Sequence, residues 1–275
     1  MHDILDKVIN KLCNHHSKMT IERRTTTMDL LKFAIEFHKD AERQGPGNDE
    51  ATKKALSYLP ELEDSSQILD IGCGTGAQTM VLAKNTPATI IAVDMLQGFL
   101  DKLQEKVDQQ NLNDRVMTKQ MLMDNLTFEE QSFDVIWSEG AIYNIGFEKG
   151  LSEWRKYLKD DGYIVVSEIS WLTDERPEEI ETYWTNAYPE IDTIEAKLAV
   201  LEESGYEPIA HFILPENCWW DHYYEPIKAR SNDFLEKYNY SEDVKTFVEM
   251  GLDEITMYEK YKDYYSYVFY IAKKR

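Results

Sequence analysis

The sequence is short of basic residues and of long apolar runs. Lys and Arg number 30 against 51 Asp and Glu among 275 residues, a formal net charge of -21. A surface this acidic repels polyphosphate, so we expect no nucleic-acid partner. No apolar run approaches the roughly 20 residues that cross a bilayer, and the first residues lack the basic start of a signal peptide. We therefore expect a cytoplasmic protein without membrane insertion.

Cysteine is also scarce. Cys13, Cys73 and Cys218 are odd in number and show no metal-ligand spacing, which argues against a disulfide framework and against a zinc site. The adjacent His15 and His16 have no third ligand nearby in sequence, so we expect no metal. Internal repeats and low-complexity tracts are absent as well, which excludes solenoid and fibrous proteins.

Between residues 67 and 206, short apolar runs alternate with amphipathic stretches. Strands that alternate with helices of this length predict βαβ units and a mostly parallel sheet with helices on both faces. The predicted strands are Gln67–Ile71, Ala88–Asp94, Val116–Met121, Phe133–Ser138, Gly162–Ser170, Pro208–Leu214 and Tyr267–Ala272. The predicted helices between them are Ala77–Asn85, Leu96–Gln110, Phe147–Leu158 and Ile194–Gly205.

Two segments lie outside this alternation. Residues 1–44 are polar with apolar positions at helical spacing, and residues 218–263 are aromatic, charged and helix-like. The second segment is too long for an ordinary loop between strands, and such insertions are usually functional. We expect one domain over 1–275, with a helical cap (1–44), a core (45–217), a helical lid (218–263) and a last strand (264–275).

A glycine-rich loop follows the first predicted strand. Gly72 and Gly74 let the backbone approach a ligand where a Cβ would collide, and the following helix offers unpaired N–H groups. The spacing also satisfies the relaxed dinucleotide pattern of a nicotinamide-dependent oxidoreductase. A pyrophosphate is disfavoured beside the carboxylate of Asp70, whereas an ammonium group is favoured. Asp94, at the end of the second strand, can accept hydrogen bonds from a ribose diol in either case.

The stretch Asp70-Ile71-Gly72-Cys73-Gly74-Thr75-Gly76 resembles motif I of the class I S-adenosylmethionine-dependent methyltransferases. Residues 121–128, 133–144 and 154–163 resemble later motifs of that family in the same order. The resemblance covers roughly residues 45–215 and is closest to the small-molecule methyltransferases of ubiquinone and menaquinone biosynthesis. It implies a Rossmann-like, doubly wound α/β sheet of seven strands, mostly parallel, with an antiparallel last strand.

The resemblance also implies a function and a cofactor site. The expected activity is methyl transfer from S-adenosyl-L-methionine to a small molecule, which releases S-adenosyl-L-homocysteine. No Asn/Asp-Pro-Pro-Tyr-like tetrapeptide is present, which removes the main signature of adenine-N6 and cytosine-N4 DNA methylation. The residues expected to bind the cofactor are Asn48, Asp70, Gly72, Gly74, Gly76, Asp94, Met95, Met123, Asp124, Ser138 and Glu139.

Aromatic residues mark a candidate acceptor site. The residues expected to contact the acceptor are Tyr143, Trp171, Trp219, Trp220 and Tyr223. For the aromatic cluster at 218–224, packing in the core of the insertion is an equally weighted alternative. His222 and Tyr143 are the candidates for proton transfer. A nicotinamide-dependent oxidoreductase and a non-catalytic S-adenosylmethionine-binding protein remain alternative functions, and a homo-oligomer is compatible with the sequence.

Overall fold

The computed structural model describes residues 32–275, and their strands form one mixed sheet. The order across the sheet is β3-β2-β1-β4-β5-β8-β7, and the two-residue strand β6 pairs with β5 beside this path. Only β8 runs antiparallel to its neighbours β5 and β7. The strands are β1 (Gln67–Ile71), β2 (Thr89–Asp94), β3 (Val116–Gln120), β4 (Phe133–Glu139), β5 (Leu158–Trp171), β6 (Asp192–Thr193), β7 (Tyr206–Ile213) and β8 (Tyr265–Lys274).

Helices cover both faces of the sheet, because the central strands alternate their apolar side chains between two cores. Ile68 and Val135 pack on the face that carries α2, α3 and α4, whereas Leu69 and Ile136 pack against α5 and α7. The helices are α1 (32–38), α2 (Asp49–Leu56), α3 (Ala77–Asn85), α4 (Gln97–Gln109), α5 (Phe147–Trp154), α6 (Glu178–Ala187), α7 (Ile194–Glu203), α8 (Asn217–Trp219), α9 (Glu225–Lys237) and α10 (Glu242–Tyr261).

The expected sheet is confirmed, with three differences in detail. The fifth strand was expected to begin at Gly162, but β5 already begins at Leu158. Asp161 adopts a left-handed φ of 64°, and the register shifts there between Phe133 and Val135. Helix α6 and strand β6 were not predicted. Glu178, Glu179 and Glu181 lie in the first turn of α6, where their carboxylates interact favourably with the positive end of the helix.

The insertion between β7 and β8 is helical, as expected. Its helices α9 and α10 pack on α1, where the ring of Phe37 lies 5.0 Å from that of Phe234 and 5.5 Å from that of Phe247. Most of the expected cap, residues 1–31, lies outside the described residues. Within 32–275, no helix is both long and apolar enough to cross a membrane.

Candidate active site

The chain order of the sheet reverses between β1 and β4, and a cavity of about 400 Å³ lies at the carboxyl ends of these strands. In open α/β sheets this reversal is where ligands bind, since the loops on either side diverge. The wall comes from the loops after β1, β2, β3 and β4, and from two further segments, 43–46 and 187–190. The parallel strands thus bring together residues that are far apart in sequence.

The glycine loop forms one side of the cavity. Gly72 and Gly74 have φ values of 72° and 54°, in the left-handed region that favours glycine. A Cβ on Gly72 would lie 2.5 Å from the Cβ of Ala141, and the amide of Gly72 donates to the Val93 carbonyl at 2.8 Å. The loop is therefore pressed against the ends of β2 and β4 and exposes its backbone to the cavity.

Asp94 holds this loop from the end of β2. Its carboxylate accepts the amide of Gly74 at 2.9 Å through Oδ2 and the amide of Leu96 at 2.8 Å through Oδ1. Burial raises the pKa of Asp94, and the two backbone amides oppose that rise. Each oxygen keeps acceptor capacity toward the cavity that Asp94 lines, so the side chain can still receive a diol.

Asp70 lies beneath the loop rather than in the cavity. It is fully buried and accepts the Thr79 hydroxyl at 2.5 Å and the Gln78 amide at 3.2 Å. Burial raises the pKa of Asp70 to about 7, and these two hydrogen bonds oppose the rise. Gln78 itself lines the cavity, so the hydrogen bond from Gln78 connects the buried Asp70 to the cavity wall.

A short segment before α2 closes the cavity opposite the glycine loop. Arg43 donates to Glu139 Oε2 at 3.1 Å and to Asp49 at 3.3 Å, and the side chains of Arg43 and Glu139 are only 5% and 6% exposed. The other oxygen of Glu139 accepts the Thr52 hydroxyl at 2.8 Å and the Trp137 indole N–H at 2.9 Å. The carboxylate of Glu139 is therefore fixed at the cavity wall.

Gln44 covers the glycine loop directly. Its Oε1 accepts the amide of Thr75 at 2.9 Å, and its Nε2 donates to the carbonyls of His38 and Ala41. A Cβ on Gly74 would lie 2.3 Å from that same Oε1. The segment 43–46 is consequently a strap, anchored to both the glycine loop and β4.

Residues after β2 and β3 form the end of the cavity next to Asp94. Met95, Leu122, Met123 and Asp124 line it, and 44% of Leu122 is exposed. The Met123 carbonyl already accepts the indole N–H of Trp154 at 2.9 Å. Flexible thioethers beside one carboxylate suit an aromatic base with an exocyclic amine.

The opposite end is formed by polar and aromatic side chains after β4 and α6. The Tyr143 and Tyr188 rings meet edge to face with centroids 6.0 Å apart. Asn144 lines the same end, and its buried Oδ1 has no hydrogen-bond partner within the described residues. Glu190 accepts the Phe147 amide at 3.0 Å and lies exposed at the rim beside Lys149.

Eight of the residues expected in the site line this cavity. They are Gly72, Gly74, Asp94, Met95, Met123, Asp124, Glu139 and Tyr143. The expectation of direct cofactor contact is corrected for four others, which are buried and have other partners. They are Asn48, whose side chain caps α2; Asp70, beneath the loop; Gly76, where a Cβ would meet Leu103 at 2.2 Å; and Ser138, which donates to the Ile71 carbonyl at 2.9 Å.

The aromatic cluster of the insertion is also corrected. Trp219 and Tyr223 are each 1% exposed, and Trp219 stacks on Tyr258 at 4.4 Å. Trp171 is 2% exposed beneath the guanidinium of Arg176. Together with the partly exposed Trp220 and His222, these residues lie outside the cavity lining. Large aromatic surfaces gain most from burial against one another, so core packing decided their position.

Arg43, Gln44, Tyr188 and Glu190 line the cavity but were not among the expected site residues. Arg43 and Gln44 directly precede Gly45-Pro46-Gly47. This turn was the sequence feature that could have indicated a segment folded over the site. Tyr188 and Glu190 follow α6, a helix that was not predicted from the sequence.

Comparisons with known proteins agree with this geometry. A family model described as a methyltransferase domain matches residues 68–162, the part that contains the glycine loop, Asp94 and Glu139. This part of the chain is therefore similar to methyltransferase domains. This similarity favours the methyltransferase interpretation of the glycine loop over the nicotinamide-dependent one.

Individual methyltransferases resemble the chain over its core. A demethylmenaquinone methyltransferase of Bacteroides fragilis is 28% identical over 120 residues, 43% of this chain and 49% of that protein. A phosphoethanolamine N-methyltransferase of Plasmodium falciparum is 32% identical over 130 residues, 44% of this chain and 46% of that protein. The chain thus spans about half the length of these curated relatives.

A solved structure extends the likeness of the fold. A methyltransferase from Geobacter sulfurreducens, in complex with S-adenosyl-L-homocysteine, superposes with a TM-score of 0.76 at 17% identity. The match covers 89% of this chain and 98% of that one, so the shared fold extends well beyond residues 68–162.

Proposed function

We propose that the protein binds S-adenosyl-L-methionine in the cavity and transfers its methyl group to a small-molecule acceptor, releasing S-adenosyl-L-homocysteine. The observation that carries this proposal is the joint placement of a glycine cradle and Asp94 at the reversal point of a methyltransferase sheet. The volume of about 400 Å³ falls within the range of small-molecule sites.

The charges of the wall fit a cationic cofactor. Asp94, Asp124, Glu139 and Glu190 line the cavity, whereas its basic side chains are Arg43 and Lys149. Arg43 is held by Glu139 and Asp49. This surplus of carboxylates favours a ligand with ammonium and sulfonium groups and opposes a pyrophosphate.

Different residues of the cavity bind different parts of the cofactor. Asp94 accepts the ribose hydroxyls, Met95, Met123 and Asp124 hold the adenine, and the backbone of the glycine loop receives the amino-acid part. The sulfonium of the bound cofactor supplies an activated methyl group. The task of the chain is then to hold the acceptor in line with that methyl group and to exclude water, and positioning of this kind contributes several kcal/mol, roughly 7–11 at most.

A non-catalytic binding protein is the rival within the same family. Calorimetry with S-adenosyl-L-methionine, S-adenosyl-L-homocysteine and reduced nicotinamide dinucleotide tests the cofactor, and we expect the first two to bind and the third to fail. Release of S-adenosyl-L-homocysteine, measured against phenols, alcohols, amines and quinols, then tests turnover. Binding without turnover of any acceptor would favour the rival, and absence of binding would refute the proposal.

A further inference from the structure

The end of the cavity formed by Tyr143, Asn144, Tyr188 and Glu190 is called the acceptor end. A buried charged cluster lies behind it, and positioning of the methyl group alone does not require this cluster. Glu168 of β5 and Lys197 of α7 form an ion pair at 3.2 Å, with side chains 0% and 3% exposed. Removing two charges from water costs several kcal/mol per ion, so a buried pair is weak support for stability. Its location beside a ligand cavity suggests a functional role.

Lys197 is held firmly in this cluster. Its ammonium donates to the backbone carbonyl of Glu190 at 2.7 Å, in addition to Glu168 Oε1. It also lies 4.6 Å from the centroid of the Phe147 ring and 5.2 Å from that of Tyr188. The Lys197 side chain is therefore fixed next to one oxygen of Glu168 and beneath the cavity wall.

Tyr188 connects the cluster with the cavity. It lines the cavity, is 7% exposed, and its hydroxyl lies beside the Glu168 carboxylate. Neither the hydroxyl of Tyr188 nor Oε2 of Glu168 has a hydrogen bond of normal geometry within the described residues. Two buried polar atoms without such bonds are costly, and a ligand hydrogen bond at Tyr188 would relieve the first of them.

We propose that Tyr188 and Glu168 take the proton from an acceptor that bears an O–H or N–H group. This inference rests on the proposed methyl transfer. As the new bond from the acceptor oxygen or nitrogen to the methyl carbon forms, the carbon–sulfur bond breaks and its electron pair stays on sulfur. The acceptor proton passes to Tyr188 Oη, while the proton of Tyr188 passes to Glu168 Oε2. Charge balances, since the sulfonium charge is lost as the carboxylate is neutralised.

The surroundings of Glu168 suit a proton acceptor. Burial raises its pKa, which favours proton uptake, whereas Lys197 opposes that rise and favours the ionised form. The pKa of Tyr188 is also raised, by burial and by Glu168, so the phenol stays neutral until Glu168 takes up its proton. The titratable and charged groups that face Glu168 are Tyr188, Glu190, Lys197 and Tyr270.

The test compares Tyr188→Phe with Tyr270→Phe. Tyr270 is a buried tyrosine near Glu168 whose hydroxyl already pairs with Ser170 at 2.8 Å and which lies outside the cavity lining. Calorimetry with S-adenosyl-L-methionine comes first. Release of S-adenosyl-L-homocysteine from phenol, alcohol and amine acceptors, measured across pH, follows. We expect Tyr188→Phe to lower kcat by about 10²- to 10⁴-fold with cofactor affinity within a few-fold, whereas Tyr270→Phe retains turnover.

Glu168 needs a paired variant, because Glu168→Gln alone would leave Lys197 as an unpaired buried charge. The double variant Glu168→Gln/Lys197→Met removes both charges. It should fold, bind the cofactor, and lose the rise of kcat with increasing pH that titration of Glu168 gives the natural protein. Melting curves show whether the variants remain folded.

The outcomes separate the two proposals. A natural protein that fails to bind the cofactor refutes the proposed function and this inference with it. A protein that binds the cofactor but methylates no O–H or N–H acceptor overturns only the proton route. Full turnover and an unchanged pH profile in folded Tyr188→Phe overturn it as well.

Discussion

One end of the cavity is formed mainly by backbone groups and the other mainly by side chains. The end at Asp94 consists of backbone turns and strand-terminal carboxylates, fixed by amide hydrogen bonds such as that of Gly74 to Asp94 at 2.9 Å. The other end consists of side chains from separate segments, Tyr143 and Asn144 after β4 and Tyr188 and Glu190 after α6. A backbone site tolerates little change in its ligand, whereas a side-chain site can be altered one residue at a time.

The helical insertion was expected to form the acceptor end, and the largest effect that we predict concerns it. Trp219→Ala removes a ring that stacks on Tyr258 and an indole N–H that donates to Ser266 at 3.1 Å. We expect a loss of roughly 3–5 kcal/mol in the free energy of unfolding, as for other large-to-Ala changes in cores.

Trp220→Ala is the matched control, because Trp220 is only partly buried. We expect it to lower stability far less than Trp219→Ala and to leave cofactor affinity unchanged. Urea unfolding measures both variants. If the Trp219→Ala protein kept normal stability and lost only turnover, the acceptor would bind at the insertion and our assignment would be wrong.

Asp70, beneath the glycine loop at the Asp94 end of the cavity, should lose its proton when the cationic cofactor binds. Because burial raises the folded-state pKa of Asp70 from 3.8 to about 7, the folded chain keeps this proton at pH values where the unfolded chain has lost it. The contribution to stability is therefore full below about pH 4 and is lost as the pH rises through 7.

We expect the difference in unfolding free energy between the natural protein and Asp70→Asn to fall by roughly 2–4 kcal/mol from about pH 4 to about pH 8. The affinity of the natural protein for S-adenosyl-L-methionine should rise over the same range, since a cation favours the ionised carboxylate. Denaturant titrations and calorimetry at several pH values measure the two trends. A difference that is independent of pH would mean that Asp70 is already ionised.

Gly72→Val tests whether the backbone end is rigid. The new side chain meets Ala141 at 2.5 Å and requires a φ of 72°, which a β-branched residue adopts only with strain. We expect the affinity for S-adenosyl-L-homocysteine to fall at least about 100-fold, or about 2.7 kcal/mol.

Gly98→Ala serves as the control, because Gly98 lies inside α4 and its Cβ would be 3.4 Å from Ile35 of α1, an ordinary contact distance. A helical alanine in place of glycine should leave the affinity unchanged and stabilise the fold slightly. Equal affinities of the two variants would show that cofactor binding does not depend on the conformation of the glycine loop.

Asp94→Ala is the smallest of the predicted effects. It removes a charged acceptor for the ribose and should weaken cofactor binding by about 1.5–3 kcal/mol. Asp101→Asn, at an exposed position of α4, removes the same charge outside the cavity and controls for the overall field. Unchanged calorimetric affinity in Asp94→Ala would refute the ribose assignment.

The sequence predicted the sheet and the backbone end of the cavity because both depend on local patterns. The positions of Gly72 and Gly74 after one strand, and of an acid at the end of the next, are enough to predict a cofactor loop. The strap and the Tyr188 end could not be found in this way. Gln44 reaches the glycine loop, and Lys197 reaches Glu168, only through the packing of elements that are distant in sequence.

The same limit explains the error about the insertion. Trp219 and Tyr223 looked like an acceptor pocket because aromatic clusters serve both cores and ligands. Composition alone does not distinguish these uses. What decided the outcome was the available surface, since α8, the π-helical turn Trp220–Tyr224, α9 and α10 had to cover β8 and α1 with apolar side chains.

The antiparallel strand β8 also sets an order of events during synthesis. It fills the place between β5 and β7, and its partners on β5 lie roughly a hundred residues earlier in the chain. Until β8 leaves the ribosome, one whole edge of β5 exposes unpaired N–H and C=O groups among apolar side chains. The nascent chain therefore holds an aggregation-prone edge while roughly a hundred further residues are made, and the acceptor end, which depends on Glu168 of β5, is complete only after β8 has paired.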